Sequence, residues 1–503
     1  MRAWVDKYST VLYDILALFG GLLLPLAFSP FDYAFLAVLG LLLLFASWLK
    51  ATPGRAFLRG YLFGLGQFGL GVSWVYVSMH DYGGASFLAA AGLTFLFTAF
   101  LALYPALAGW LSRRFWDSGR TLQLLVVFPA VWILLEWFRG WFLTGFPWLQ
   151  IGYSQTDTPL AGYGPVLGVY GIGWVVAFLA GAIPAALGSA RKPRMVMAAA
   201  ILTVLALSRV LGGISWTQPA GEPFQVTLLQ GNVPQDMKWQ PEFQRETLDM
   251  YTEMTRQSWD ARLIVWPETA VPAFYHQVEN TYLAELAAEA KDRDTDLLIG
   301  VPFYDQTKDR YFNAVVALGA SPGIYFKRHL VPFGEYLPLR PVLGFVLDIL
   351  DIPLSDFAGG NGGQKALVAA GHALAASICY EDIFGQESLA SLPEAAYLVN
   401  VTNDAWFGDS IAPYQHAQMA RMRSLETGRY MLRATNTGIT AIITPKGEIA
   451  VAAPLFQRTR LSGTITPVAG STPYVLWSDW PVVVGLGAGL GLVAWRRRRR
   501  TEA

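Results

Sequence analysis

Long apolar runs fill the first 215 positions of the chain, and one more closes it. Crossing ~30 Å of hydrocarbon as a helix takes about 20 residues. Seven runs of that order precede residue 215, at 9–27, 33–49, 61–78, 86–111, 121–143, 165–188 and 195–213. An eighth covers 474–495, with Trp477 and Trp480 at one end and Trp495 at the other, where interfacial aromatics belong. Arg2 and Lys7 ahead of the first run imitate a secretory signal. Asp14 interrupts its apolar stretch, however, and another span follows at once, so it reads as a span. Between 216 and 473 the pattern changes. Short β-branched runs (Val226–Leu229, Leu263–Trp266, Leu297–Val301, Ala396–Thr402, Thr440–Thr444) alternate with helical stretches at Pro241–Trp259 and Glu279–Lys291. That alternation predicts a layered α/β domain. The expected organisation is a membrane domain over 1–215, one large polar domain over 216–473, and a last span with its tail over 474–503. One stretch, 338–364, joins an apolar patch (Phe345, Val346, Leu347, Ile349, Leu350) to Gly359-Gly360-Asn361-Gly362-Gly363. It reads either as a packed surface excursion or as a mobile arm that enters lipid or gates a site.

Charge sharpens this picture. The 503 residues are 53% hydrophobic, 14% aromatic and only 15% charged, well below the quarter usual in soluble domains. Lys50, Arg55 and Arg59 lie between spans two and three, Arg113, Arg114 and Arg120 between four and five, Arg191, Lys192 and Arg194 between six and seven. Arg496 to Arg500 follow span eight, whereas the alternate loops 28–32, 79–85 and 144–164 contain no Lys or Arg. The positive-inside rule then puts both termini in the cytoplasm and 216–473 on the opposite face, in a bacterium the periplasm. That polar segment holds 28 Asp/Glu against 19 Lys/Arg. Such an acidic balance excludes nucleic acid as a partner, because neutralising phosphates supplies that affinity.

The polar segment contains the chain's one cysteine, Cys379. An intrachain disulfide, a two-cysteine redox site and a cysteine-rich metal cluster are thereby excluded. His276, His329, His372 and His416 show no metal-ligand spacing, and neither a metal nor an organic cofactor is expected. Three strand-like runs each deliver a reactive group at their end, where an α/β layer gathers its chemistry. Leu263-Ile264-Val265-Trp266-Pro267 leads to Glu268, Tyr325-Phe326 leads to Lys327 and, farther on, Glu335, and Ala375-Ala376-Ser377-Ile378 leads to Cys379. A thiol with a pKa near 8.5 needs a carboxylate to accept its proton during attack. An adjacent ammonium favours the thiolate and stabilises an oxyanion. Glu335 either holds that lysine or donates to the oxyanion. Taken singly, Cys379 reads as a small buried hydrophobe, Glu268 as a strand terminus and Lys327-Arg328 as a solvated pair. Taken jointly they read as one site.

Jointly they resemble the nitrilase superfamily, whose members use a Glu-Lys-Cys triad on an αββα sandwich; here 59 residues separate Glu268 from Lys327 and 52 separate Lys327 from Cys379. With eight spans around it, the whole chain resembles the bacterial apolipoprotein N-acyltransferases. The carrying motifs are Gln230-Gly231-Asn232-Val233-Pro234-Gln235 with Lys238-Trp239, Trp266-Pro267-Glu268, Lys327 through Glu335, and Cys379-Tyr380-Glu381. Thr402-Asn403-Asp404-Ala405-Trp406-Phe407 and, in the membrane half, Gly145-Phe146-Pro147-Trp148 complete the set. The resemblance implies that Cys379 takes an acyl chain from a membrane phospholipid, the sn-1 chain of phosphatidylethanolamine, and passes it to the α-amine of diacylglyceryl-cysteine apolipoproteins. It implies an inner-membrane protein acting as a monomer. It also implies site roles for Trp239, Tyr380 and Glu381, each with a packing or anchoring alternative, and pocket positions for Asn403, Asp404, Trp406 and Trp148. Glu136 and Arg139, at i,i+3 on one helix, are either functional or an internal pair. Two rivals stay open: a membrane-tethered amidase that hydrolyses its thioester, and a transporter or scaffold with a decayed enzyme domain, which the intact triad disfavours.

Overall fold

The computed structural model describes residues 2–338, 341 and 356–502, so the greater part of the 338–364 stretch lies outside the described residues. The chain divides into two units. One gathers Met1–Val75, Ala90–Ile214 and Trp477–Ala503; the other gathers Tyr76–Ala89 and Ser215–Leu476.

The first unit is helical. Among the described residues, five helices are long and apolar enough to cross a bilayer: Thr10–Ala27, Phe87–Phe115, Arg120–Arg139, Pro159–Leu187 and Arg191–Gly212. A sixth crossing arises if Pro53–Gly71 and Trp74–Tyr82, bent by 52° at the break between them, form one broken span. The run read at 61–78 therefore contains a bend that hydropathy does not register. Phe35–Trp48 is apolar but only 14 residues long. The closing helix Trp480–Glu502 carries the five arginines. Pro53–Gly71 starts where it does because the Thr52 side chain accepts from Arg55 N and Pro53 occupies the first turn, where no donor is missed. It packs closely at Gly60, where a Cβ would stand 2.2 Å from Pro105 O. Asp14, the interruption in the first span, is paired with Arg59 Nε at 2.9 Å and with Arg55.

The second unit is layered. Its strands are β1 (Thr217–Pro219), β2 (Phe224–Gln230), β3 (Leu263–Val265), β4 (Asp296–Asp305), β5 (Arg310–Leu318), β6 (Gly323–Phe326) and β7 (Leu367–Ala369). They continue with β8 (His372–Ile378), β9 (Tyr397–Thr402), β10 (Met431–Thr435), β11 (Ala441–Ile443), β12 (Ile449–Ala452), β13 (Thr459–Ile465) and β14 (Val468–Gly470). Two six-stranded sheets result, in the orders β13-β2-β3-β4-β5-β6 and β12-β11-β10-β9-β8-β7, while β1 pairs with β14.

Period-2 alternation explains the layers. Val226, Leu228, Leu263 and Val265 on one sheet share a core with Leu374, Ile378, Val399 and Val401 on the other. Their neighbours Leu229, Ile264 and Trp266 face away and pack on Tyr251, Met254, Leu283 and Leu286 of the helices Pro241–Arg256 and Tyr282–Asp292. Behind the other sheet, Ala375, Leu398, Met431 and Ile443 pack on Ala417 and Ala420 of the helix Ala412–Thr427. The order is α, β, β, α. Truncating one of these buried leucines to alanine costs about 2–5 kcal/mol. Strands β2, β3 and β4 run parallel, as do β8, β9 and β10, so each group directs its carboxyl ends one way.

Candidate active site

The turns that leave β3, β6, β8 and β9 bring the reactive groups together. Glu268 follows β3 and is buried. Its turn lies flat against β4 at Gly300, where a Cβ would come within 2.2 Å of Pro267 O and 2.7 Å of Glu268 Cα. The carboxylate is held from three sides. Asn313 Nδ2 on β5 donates to Oε1 at 2.6 Å, the Asn403 backbone N–H donates to Oε2 at 2.8 Å, and Lys327 Nζ stands 3.7 Å from Oε1.

Lys327 follows β6, and its backbone N–H donates to Asn313 O at 2.8 Å. Its Nζ donates to Glu335 Oε1 at 2.8 Å, and Glu335 Oε2 accepts the Val331 N–H at 2.8 Å. Burial disfavours the Lys327 ammonium. Glu335 and Glu268 outweigh it and hold its pKa above the ordinary lysine value.

Cys379 follows β8 with φ of 51°, a left-handed conformation unusual for a residue with a side chain. Glu381 braces this turn. Its carboxylate accepts from Ile378 N (2.7 Å), Arg328 N (2.6 Å), His329 N (3.2 Å) and Tyr325 Oη (3.1 Å), which ties the cysteine turn to the lysine loop. Desolvation first, then the charge of Glu268, push the Cys379 thiol well above its usual pKa, and Lys327 offsets only part of this. The thiol is therefore protonated at neutral pH. A protonated thiol fits the expectation that a carboxylate accepts its proton during attack.

The remaining sequence candidates are distributed as follows. Tyr380 is buried beside Phe384 and His329, at ring distances of 5.1 and 5.9 Å. Trp239 is half-buried in the turn after β2. Asn403 is buried, its side chain donating to Gln235 Oε1 at 2.8 Å and accepting from Asn436 Nδ2 at 3.0 Å. Asp404 is fully buried and bonded to Arg433 Nη2 at 3.0 Å. Trp406 stacks edge-on to Tyr82 at 6.4 Å, and its carbonyl accepts from Ser78 Oγ at 2.8 Å. Trp148 belongs to the helical unit, 4.8 Å from the Trp74 ring, with its carbonyl accepting from Arg139 at 2.6 Å. Glu136 and Arg139 both serve that loop: Glu136 Oε1 accepts the Ile151 N–H at 3.1 Å.

Two site residues escape a reading by sequence. Asn313 is one polar position inside an apolar strand, and only the β4–β5 register aims it at Glu268. Lys238, also buried, donates to Glu268 O at 3.2 Å and to Thr269 Oγ1 at 2.5 Å. Burial pulls its ammonium down to about 8, with Glu268 the main opposing charge. The Lys238-Trp239 dipeptide signals this position in the sequence but not the lysine's contact with the Glu268 turn.

Buried Glu268 and Lys327 with a partly buried Cys379 at strand ends of a layered unit, in a chain with an apolar helical unit, define a membrane protein carrying a carbon-nitrogen hydrolase fold. Family comparison agrees: residues 225–474 match the carbon-nitrogen hydrolase family, and residues 20–182 match the apolipoprotein N-acyltransferase N-terminal domain. The apolipoprotein N-acyltransferase of Methylococcus capsulatus is 61% identical over 489 residues, 97% of each chain. That of Nitrosomonas europaea is 45% identical over 94% of this chain and 96% of its own. Among solved structures, the C. elegans NitFhit protein aligns over 52% of this chain and 65% of its own at 14% identity. Its TM-score of 0.40 is too low to weigh in the assignment. The chain belongs to the apolipoprotein N-acyltransferase family.

Proposed function

We propose that the protein is an N-acyltransferase that works by two half-reactions through Cys379, with Glu268 and Lys327 completing a triad. In the first, Cys379 Sγ attacks the sn-1 ester carbonyl of a phospholipid, phosphatidylethanolamine, while Glu268 takes the thiol proton. The tetrahedral oxyanion is stabilised by the Lys327 ammonium. When the ester C–O bond breaks, Glu268 returns the proton to the departing lysophospholipid. In the second, the α-amine of a diacylated apolipoprotein attacks the thioester, Glu268 takes a proton from the amine, and the C–S bond breaks as the thiol is re-formed.

The observation that carries this reading is the bracket around Glu268, whose two oxygens face Asn313, the Asn403 amide and Lys327 at 2.6, 2.8 and 3.7 Å. So held, the carboxylate is fixed as a proton acceptor beside a thiol that needs one. Alternating loop charge supports a membrane-anchored reading with both termini cytoplasmic and residues 216–473 forming a periplasmic catalytic domain on the inner membrane. Among the described residues five helices, or six with the bent pair, are long and apolar enough to cross, and eight crossings remain the reading of the sequence. The enzyme acts as a monomer there. Anchoring confines it to the plane where both lipid-bearing substrates reside, which raises their effective concentration. Trp239, Tyr380, Asn403 and Trp406 contribute to the acyl or acceptor pocket, and Glu335 and Glu381 hold the triad.

Mass spectrometry of the protein incubated with phospholipid tests this. An added acyl mass, removed by hydroxylamine and located on the Cys379 peptide, is expected in the wild type and absent from Cys379→Ala. Acylation elsewhere, or full activity in Cys379→Ala, refutes it. Hydrolysis by water in place of amine transfer would appear as rapid thioester turnover without acceptor.

A further inference from the structure

Behind the reacting groups lies a second ionic cluster that the mechanism above does not use. His416 on the helix Ala412–Thr427, Asp382 in the turn after Cys379, Asp404 in the turn after β9 and Arg433 on β10 are each no more than 1% exposed. His416 Nδ1 lies 2.9 Å from Asp404 Oδ1, and Nε2 lies 2.8 Å from Asp382 Oδ1. Carboxylates only accept, so both ring nitrogens carry protons and the ring is an imidazolium. Arg433 closes the square, donating to Asp382 Oδ2 at 2.8 Å and to Asp404 Oδ2 at 3.0 Å. Two cations meet two anions, and the cluster is neutral. Desolvation and Arg433 oppose the imidazolium, but the aspartates hold its pKa up to about 9.

Its position matters more than its charge count. Asp382 shares a short helical turn with Cys379. Asp404 directly follows Asn403, whose N–H donates to Glu268. Asn400, bonded to Arg433 Nη1 at 2.7 Å, donates to Cys379 O at 3.3 Å. Elsewhere this face of the sheet packs on its helix through the apolar side chains of Ala375, Leu398, Met431 and Ile443. Apolar packing would serve stability as well or better than a buried ionic square. It would not fix the relative direction of two turns.

We infer that His416 is a positioning residue for acyl transfer, holding the turn that carries Cys379 in register with the turn that aims the Asn403 amide at Glu268. The inference rests on the acyl-transfer reading and deepens it.

The test is single-turnover acylation of Cys379 in full-length protein with phosphatidylethanolamine micelles, followed by mass. His416→Gln leaves the cluster with one excess negative charge, and His416→Gln with Asp382→Asn restores neutrality. The expected result for His416→Gln is acylation about 100-fold slower, the loss typical of a misplaced reacting group. The half-saturating phospholipid concentration stays within about twofold, and the double variant recovers at least about tenfold of the rate. Wild-type protein that takes no acyl group on Cys379 defeats the underlying reading. If the wild type is acylated and His416→Gln keeps its rate, or the double variant recovers nothing, this inference alone falls. If neither variant folds, as judged by thermal unfolding in detergent, the cluster serves folding and the positioning role is likewise overturned.

Discussion

In the helical unit, Arg139 directs its guanidinium at the carbonyls of Phe146 and Trp148, 2.7 and 2.6 Å away, and Glu136 accepts the Ile151 N–H. Arg59 likewise reaches Ser47 O and Thr10 O besides Asp14. In the layered unit, Lys327 turns to Glu335 and Glu268, and His416 and Arg433 turn to Asp382 and Asp404. At these positions buried charge meets broken backbone in the helical unit, beside the Asp14 pairs, and meets other charge around the reactive groups of the layered unit. The difference follows from what each setting lacks. Where helices break in an apolar surround, each unmet backbone group costs several kcal/mol, and a long charged side chain is an efficient partner. In the layered unit the ladders satisfy the backbone of the strands, and Lys327, His416 and Arg433 pair with carboxylates. Glu381 and Arg429 depart from this: Glu381 accepts three backbone N–H groups where two turns meet outside any ladder, and the buried Arg429 guanidinium donates to the carbonyls of Ala395, Thr427, Pro393 and Gly470.

Two substitutions should break this contrast most visibly. Glu268→Gln keeps the shape and removes the proton acceptor, so acylation of Cys379 should fall by about 1,000-fold, within the usual reach of general-base catalysis. Thermal unfolding should change little, and a variant that acylates at the wild-type rate would remove Glu268 from the chemistry. Arg139→Met should do the reverse. Stranding two buried carbonyls costs about 2–4 kcal/mol, which should lower the unfolding temperature in detergent by several degrees. If it unfolds like the wild type, the backbone-repair reading of the helical unit is wrong.

How much of this was legible in sequence depended on distance along the chain. Glu268, Lys327 and Cys379 each close a recognisable strand-like run, so the pattern pointed at them before their meeting was visible. Asp14 reads as a flaw in an apolar span because its partners Arg55 and Arg59 lie a helix away. Asn313 has no motif; its role exists only through register. His416 was hidden for another reason. The helix Ala412–Thr427 is buried along nearly its whole length, on the sheet side and the other, so no amphipathic stripe separates a functional face. It ends where Gly428 adopts the left-handed conformation (φ 65°), a stop that sequence does suggest. The bend between Gly71 and Trp74 was invisible because hydropathy averages over it.

A pH series sharpens the contrast at smaller scale. His416 has a folded pKa of about 9, above the roughly 6.5 of an unfolded histidine. Its contribution to stability is therefore complete below about pH 6.5 and lost as pH rises through about 9. Asp404 is held below its usual value by His416 and Arg433 despite burial. Its contribution is present above an unfolded pKa near 3.9 and lost as pH falls through the lower folded value. The unfolding temperature should decline between about pH 7 and 9 in the wild type. That decline should vanish in the His416→Gln, Asp382→Asn double variant; if it persists there, another group causes it.

Ser78→Ala should have the smallest effect and still be informative. Ser78 Oγ donates to Trp406 O at 2.8 Å, and Tyr82 lies edge-on to the Trp406 ring, so this segment steadies the turn that begins at Asp404. One neutral hydrogen bond contributes about 1 kcal/mol, or about fivefold in an equilibrium. If Trp406 lines the acyl pocket, loosening it should raise the half-saturating phospholipid concentration by up to that factor and leave the limiting acylation rate unchanged. A fall in the limiting rate with binding intact would instead mean that the strain travels through Asp404 into the His416 cluster, and that the two turns are coupled more tightly than their hydrogen bonds suggest.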